Sequence, residues 1–215
     1  MRELIKISEN ISYLVASTKP LSSDVVVVKA KKATWIFDVG QCAEAADLIN
    51  SIEGPKNIVI SHFHADHVTN IGAVKFDNLY VSSFTKKYTG IGTEINSETT
   101  FDDEPSIKLI PIPSSHSKGS LALLCGDWCF MGDSTYCTEK RLAHSYNVQL
   151  LKEEIDVLEK IPCKYFCLSH DKKFIQKKED LILLHKQIYD RREPNNPLIS
   201  VEDFFNPDGS VKLVD

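Results

Sequence analysis

Three of the chain's seven histidines fall in one short run, His62-Phe63-His64-Ala65-Asp66-His67. Histidines at i and i+2 of an extended segment leave the same side of it, and Asp66 and His67 can turn back toward them from a tight loop or a helix start. Imidazole nitrogen suits zinc, iron or nickel, and a carboxylate extends such a site toward harder ions. The run therefore has the composition of a transition-metal site that can serve two adjacent ions. A surface cluster of histidines is the plain alternative, but it leaves unexplained three further residues in similar settings. These are His116 in Pro113-Ser114-Ser115-His116-Ser117, Asp133 in Phe130-Met131-Gly132-Asp133-Ser134, and His170 in Cys167-Leu168-Ser169-His170-Asp171. Each follows an apolar run and opens a turn. Singly, each reads as a turn or capping residue; together, at expected strand ends, they read as the rest of one site.

The elements that must position these residues are legible as short apolar runs. Leu4–Ile7, Ile11–Ala16, Val25–Val28 and Trp35–Phe37 predict strands separated by Lys-Pro, Ser-Ser and Lys-Lys turns. Gln41–Ile52 predicts a helix closed by Gly54-Pro55, and Asn57–Ser61 a buried strand at whose end the histidine run begins. Further strands are expected at Leu79–Ser83, Ile107–Ile112, Leu121–Cys125 and Cys129–Met131, with a polar stretch from Thr89 to Glu104 long enough to carry function. Val148, Leu151, Ile155 and Leu158 mark one amphipathic helix, Tyr165–Ser169 a strand, and Leu181, Leu184 and Ile188 a last helical face. From about Glu193, Pro194, Pro197, Pro207 and Gly209 predict a loosely packed tail. The order gives a single domain over residues 1–215, with two sheets in the middle and helices outside, a layered α/β or α+β arrangement.

Composition narrows the partners. The 215 residues are 42% hydrophobic, enough for a sizeable core, and the net charge of −5 comes with interspersed signs and no basic stripe. Nucleic acid is therefore not an expected partner, and a small-molecule substrate is. Residues 1–10 break up their apolar side chains with charges, and no run approaches the roughly 20 apolar residues of a membrane span. The expectation is a cytoplasmic protein without a membrane partner; nothing in the pattern sets an oligomeric state. The six cysteines are scattered and are read as free thiols, and Cys125/Cys129 and Cys163/Cys167, which lack the spacing of zinc knuckles and redox sites, as core or strand residues. His144 and His185 lie outside every motif and are read as structural or solvent-exposed; Trp35 and Trp128 are read as core.

The ordered set resembles the metallo-β-lactamase superfamily, whose signature is His-x-His-x-Asp-His followed at intervals by a histidine, an aspartate and a final histidine. The resemblance runs from Asp38, in Phe37-Asp38-Val39-Gly40, to His170 and so covers most of the chain. It implies a four-layer αβ/βα sandwich of the α/β class and two divalent ions, zinc first, with iron or manganese as substitutes. It places His62, His64 and His116 on one ion, Asp66, His67 and His170 on the other, Asp133 between them, and Asp38 behind the motif loop, orienting it. Ser115 and Ser169 stand where many members have glycine before the histidine, and Thr69 where glycine often follows the motif. Those departures leave the ligands intact and alter loop shape.

The implied activity is hydrolysis, in which a hydroxide bridging two metals attacks an ester-like bond, lactone or thioester, of a small molecule. Asp66 and Asp133 would hold the attacking water. Asp133-Ser134-Thr135-Tyr136 resembles the segment of N-acyl homoserine lactonases in which a tyrosine hydrogen-bonds the substrate carbonyl, so Tyr136 is a candidate oxyanion donor; a tyrosine packed at the edge of the site is the alternative. A carboxylate at Asp133 points to the lactonase and glyoxalase II branches rather than to antibiotic hydrolysis. Lys172, Lys173, Lys177 and Lys178 are a loose counterpart of the glyoxalase II basic cluster, or a solvated face. Two other classes resemble parts of this pattern. One is the persulfide dioxygenases, which hold a single iron on two histidines and an aspartate; the other is a metal-binding module without turnover. The full seven-residue ligand set argues against the first, and no residue speaks for the second.

Overall fold

Strand Thr34–Phe37 shows in four residues how the chain is layered: Trp35, Ile36 and Phe37 are all buried, yet they enter different cores. Alternate side chains of a strand leave opposite faces of its sheet. Trp35 and Phe37 join a core with Val26, Val28, Leu121, Leu123 and Phe130, whereas Ile36 joins one with Ala45, Ile49, Ile58 and Leu79. Strand Ser120–Cys125 repeats the device, with Leu121 and Leu123 on the shared inner face and Ala122 and Leu124 on an outer face against Leu158 and Leu181. Two sheets thus face each other, and each is covered outside by helix. This is the four-layer αβ/βα sandwich that the resemblance implies.

The computed structural model describes residues 4–140 and 143–201. The first sheet runs, in spatial order, Ile5–Lys6, Ile11–Leu14, Val25–Lys29, Thr34–Phe37, Lys56–Val59, Asn78–Val81 and Thr93–Glu94. The second runs Thr99–Phe101, Ile107–Ile112, Ser120–Cys125, Trp128–Gly132, Tyr165–Leu168 and Ile175–Lys177. Thr34–Phe37, Lys56–Val59 and Asn78–Val81 are parallel, as are Trp128–Gly132 and Tyr165–Leu168. Parallel neighbours need a crossover, which helices Ala43–Ser51 and Val148–Leu158 help to supply. Parallel strands also end on one edge of their sheet, where the following loops converge.

Several expectations are corrected. The stretch from Thr89 to Glu104 supplies edge strands to both sheets, Thr93–Glu94 and Thr99–Phe101, because Ile95 finds burial between them. Before it comes an unforeseen helix, Ser83–Thr89, which Ser82 starts by accepting the Thr85 N–H and Gly90 ends in a left-handed conformation. Within the expected loosely packed tail, residues 193–197 are exposed, while Leu198–Ser200 pairs with Ala143–Asn147, burying Ile199 and Val201; residues 202–215 lie outside the described residues. Trp128 is only half-buried, stacked on Tyr165, whereas Trp35 is core. The cysteines are free thiols, four of them buried. No helix among the described residues is long and apolar enough to cross a membrane.

Helix Val148–Leu158 carries an uncompensated acid. Glu154 is fully buried and neither carboxyl oxygen has a hydrogen-bond partner among the described residues. Burial pushes this carboxyl well above the ordinary range, so it is protonated in the folded chain and ionises near pH ~4.3 in the unfolded one. Above that pH the folded state binds more protons than the unfolded state, so this group lowers stability as pH rises. Glu154→Gln keeps the shape and removes the titration. The expected result is a Tm above the parent's at about pH 8, with the gap narrowing toward about pH 4; a pH-independent offset would contradict it.

Candidate metal centre

The loops that leave four of the parallel strands meet on one edge of the sandwich. Asp38 follows Thr34–Phe37, His62 follows Lys56–Val59, Asp133 follows Trp128–Gly132 and His170 follows Tyr165–Leu168. His116 arrives on the connection between the antiparallel strands Ile107–Ile112 and Ser120–Cys125. His64 stands at the start of the short helix Ala65–Val68, which turns Asp66 and His67 back toward the cluster.

Potential ligand atoms form two groups. His62, His64 and His116 make one and Asp66, His67, Asp133 and His170 the other, with the atoms of each group within 4.8 Å of one another. Asp133 joins the two. Its Oδ2 lies 4.0 Å from His62 Nε2 and 3.4 Å from His116 Nε2 on one side, and 3.3 Å from His67 Nε2 and 4.0 Å from His170 Nε2 on the other. Asp66 Oδ2 is 2.9 Å from His170 Nε2 and 3.4 Å from His67 Nε2. His64 Nδ1 and His116 Nε2 face each other at 3.1 Å. All seven residues picked from the sequence are thus brought together.

Beneath them, Asp38 and Ser61 set the ring orientations. Asp38 Oδ2 is 2.7 Å from His67 Nδ1, and Asp38 accepts the backbone N–H of Ser61 at 2.7 Å and its hydroxyl at 2.8 Å. A carboxylate that accepts a hydrogen bond from Nδ1–H fixes the tautomer whose Nε2 lone pair is directed at the cluster. Ser61 Oγ also lies 3.0 Å from His62 Nδ1. Asp38 thus stands behind the motif loop, where the resemblance put it; Ser61 was missed, its one signal being a hydroxyl between a strand and the first histidine.

Protonation follows from this packing. Burial, then the neighbouring histidines, hold His62 well below its ordinary value, and His64 is lowered by the same causes. Burial opposes charge on His67, but Asp38 and Asp133 outweigh it and push its pKa well above the ordinary value. His170 is raised in the same way, burial being overcome by Asp66 and Asp133. Burial would raise Asp66, yet hydrogen bonds from His170 and His67 hold its carboxyl well below the usual range. Two buried atoms, His62 Nε2 and Asp133 Oδ1, have no hydrogen-bond partner among the described residues. Orphaned donors and acceptors are costly unless something satisfies them, and lone pairs from five imidazoles and two carboxylates fit divalent cations.

The family model described as the metallo-beta-lactamase superfamily matches residues 18–78, which include the histidine run. A metallo-beta-lactamase from Pontibacter korlensis aligns with a TM-score of 0.67 at 16% identity, over 89% of this chain and all of that one (100%). The chain has the metallo-beta-lactamase fold. The same architecture occurs in the chemotaxis sensor ODP, solved as a peroxy di-iron species (TM-score 0.63, 14% identity, 85% of this chain and 94% of that chain). It occurs as well in a flavo di-iron protein variant from Thermotoga maritima (TM-score 0.66, 13% identity), where it aligns over 91% of this chain but 64% of that one. No curated protein matches by sequence. At these identities the likeness is one of fold, and metallo-beta-lactamase-fold proteins among the neighbours include both lactamases and di-iron proteins.

The cluster opens into a cavity of about 490 Å³. His64, Asp66, His116, Asp133 and His170 form its polar floor, and Tyr13, Val15, Leu21 and Phe174 an apolar wall. Tyr13 and Phe174 stack at 4.0 Å. None of these wall residues was singled out from the sequence: Tyr13 and Val15 sit in an ordinary apolar run, and Leu21 and the pair Phe174-Ile175 stand among mostly polar residues. Residues 89–104 do not line the cavity. Of the four lysines weighed, Lys172 reaches its rim, while Lys178 is committed to the carbonyls of Glu159 and Ile161. Tyr136 is not in the lining either: its hydroxyl donates to the Ser169 carbonyl. Burial, then Asp133, push its phenol above the ordinary value. His185 is buried, with ring nitrogens at the carbonyls of Leu181 and Thr135.

Gly132 is the point where floor and support touch. It has φ +55, and a Cβ there would lie 2.6 Å from both the Cβ and Oγ of Ser61. Gly132→Ala must therefore displace Ser61 or Asp133. The expected outcome is metal affinity weakened about 10–100-fold, as for loss of other supporting contacts, in a protein that still folds, measured by chelator competition. Parent-like affinity would contradict the geometry.

Proposed function

We propose that the chain is a binuclear metal-dependent hydrolase, with zinc as its ion, that cleaves an ester-like bond in a small molecule. The observation that carries this reading is the place of Asp133 Oδ2 within 4.0 Å of imidazoles from both ligand groups. In it, His62, His64 and His116 hold one ion, Asp66, His67 and His170 the other, and Asp133 both. Two such ions supply a hydroxide nucleophile at neutral pH and polarise the oxygen under attack. The nitrogen-rich set suits a transition metal, with zinc taken first because it is the commonest ion on histidine and carboxylate ligands.

The chain's own residues do the rest. His62 and His67 are buried beneath the floor, so substrate meets His64, Asp66, His116, Asp133 and His170. Asp66, held anionic by His67 and His170, can accept a hydrogen bond from the attacking water and orient it. The apolar wall takes an uncharged body and excludes water from one side of the reacting bond. A cavity of about 490 Å³ lies within the range of small-molecule sites. A lactone and a thioester both meet these requirements.

Tyr136 takes the edge-packed role in this reading, because its hydroxyl is spent on the loop that carries His170. Tyr136→Phe is expected to leave kcat within about threefold of the parent; a fall on the order of 100-fold, the cost of losing an oxyanion donor, would restore the catalytic assignment.

Elemental analysis of the purified protein, paired with hydrolysis assays on a lactone, a thioester, a phosphodiester and a β-lactam, tests the function. About two zinc ions per chain and chelator-sensitive hydrolysis of the lactone or thioester are expected, with both lost in Asp133→Ala. Iron in place of zinc without hydrolysis of any of the four would overturn the reading in favour of redox chemistry.

A further inference from the structure

Asp24 supplies no atom to either ligand group, yet it is tied to both the floor and the wall of the cavity. It is 5% exposed and precedes strand Val25–Lys29. Its Oδ1 accepts the backbone N–H of Ala16 at 3.0 Å. Its Oδ2 accepts the backbone N–H of His170 at 3.0 Å and the hydroxyl of Ser169 at 3.2 Å, while Ser169 Oγ accepts the N–H of Asp24 itself at 3.0 Å.

Each arm of this carboxylate ends on something the site uses. His170 has φ +63, a left-handed backbone that a residue with a Cβ keeps only when its surroundings hold it there. That conformation delivers its Nε2 to 2.9 Å from Asp66. Ala16 leads into the hairpin of Ser17–Thr18 and Leu21–Ser22, and Val15 and Leu21 from this region line the apolar wall. The end of the hairpin is fastened as well, since the Ser23 N–H donates to the carbonyl of Asp66 at 2.9 Å. Ser169, which departs from the glycine that the resemblance gives before the last histidine, therefore has a structural partner. The two substitute for backbone freedom with a specific pair of hydrogen bonds.

We propose that Asp24 is a positioning residue which, with Ser169, holds His170 in ligand geometry and couples it to the hairpin that walls the cavity. This rests on the reading of His170 as a metal ligand. Loss of Asp24 frees both arms at once, whereas loss of the Ser169 hydroxyl loosens the His170 side and leaves the Ala16 contact in place.

The test is a zinc titration against a chromophoric chelator, run on the parent and on Asp24→Ala, Asp24→Asn, Ser169→Gly and His170→Ala, with hydrolysis kinetics on any substrate the parent turns over. In Asp24→Ala the second zinc equivalent is expected to weaken about 10–100-fold with the first unchanged, and KM to rise as kcat falls. Ser169→Gly should weaken the second equivalent by about threefold to tenfold and leave KM unchanged, a split that general destabilisation would not produce. Asp24→Asn, which sets an amide nitrogen against N–H donors, decides the matter if Asp24→Ala does not fold. Parent-like binding of the second zinc in folded Asp24→Ala or Asp24→Asn would overturn the proposal. A second equivalent that survives His170→Ala would overturn the metal reading and this proposal with it, and is distinguishable because the reference variant itself is silent.

Discussion

One carboxylate oxygen, Oδ2 of Asp133, stands among four imidazole nitrogens, and the electrostatics at that point govern everything built around it. Removing charged groups from water costs several kcal/mol each unless partners compensate. The compensation is uneven. On the side of His67 and His170, Asp66 and Asp38 add negative charge and the rings are pushed toward their protonated forms. On the side of His62 and His64, burial and the neighbouring imidazoles outweigh the attraction of Asp66 and drive these rings toward the neutral form. The two halves therefore differ in chemistry: one is an all-imidazole group and the other carries the carboxylates of Asp66 and Asp133.

Holding that cluster requires rigidity below it. Asp38, itself at φ 62, turns two oxygens toward Ser61 and His67, and Ser61 touches His62 in turn. Gly132 must lack a Cβ because Ser61 fills the space a side chain would need. These contacts join the ends of strands from both sheets, Thr34–Phe37 and Lys56–Val59 in one and Trp128–Gly132 in the other. The inter-sheet core of Phe37, Val59 and Phe130 lies directly behind them. Packing between the sheets is thus the source of the precision at the site: a shift of one sheet against the other would move Asp133 relative to His67.

Around the floor, side-chain hydrogen bonds hold the turns. The departures from the family pattern each acquire a hydrogen bond: Ser115 Oγ accepts the N–H of Asn147, Ser169 pairs with Asp24, and Thr69 Oγ1 donates to the carbonyl of Ala65 at 2.6 Å. Where glycine would permit a turn by freedom, these residues specify one by contact. The outcome is a cavity with a polar floor from strand-end loops and an apolar wall from a different part of the chain.

The seven residues of the cluster, the layered α/β class and most of the strands were legible in the sequence because they rest on local signals. Histidine and aspartate after an apolar run mark a strand end, and a nearly unbroken apolar run such as Leu121–Cys125 marks a strand covered on both sides. The pairing of the Thr89–Glu104 segment with both sheet edges and the docking of Leu198–Ser200 were not legible, since an edge strand is made by its neighbour rather than by its own pattern. The hydroxyl of Tyr136 is a similar case: its position in the chain admits an oxyanion donor, and only the approach of the Ser169 carbonyl commits it elsewhere. Asp24 and the wall of Tyr13, Val15, Leu21 and Phe174 were likewise invisible, for their partners lie far along the chain, up to 146 residues away between Asp24 and His170. What the sequence by itself determined was which ligands exist and that strand ends present them; what the tertiary structure decided was how they are oriented and what encloses them, because hydrogen bonds and packing between distant segments leave no trace in local spacing.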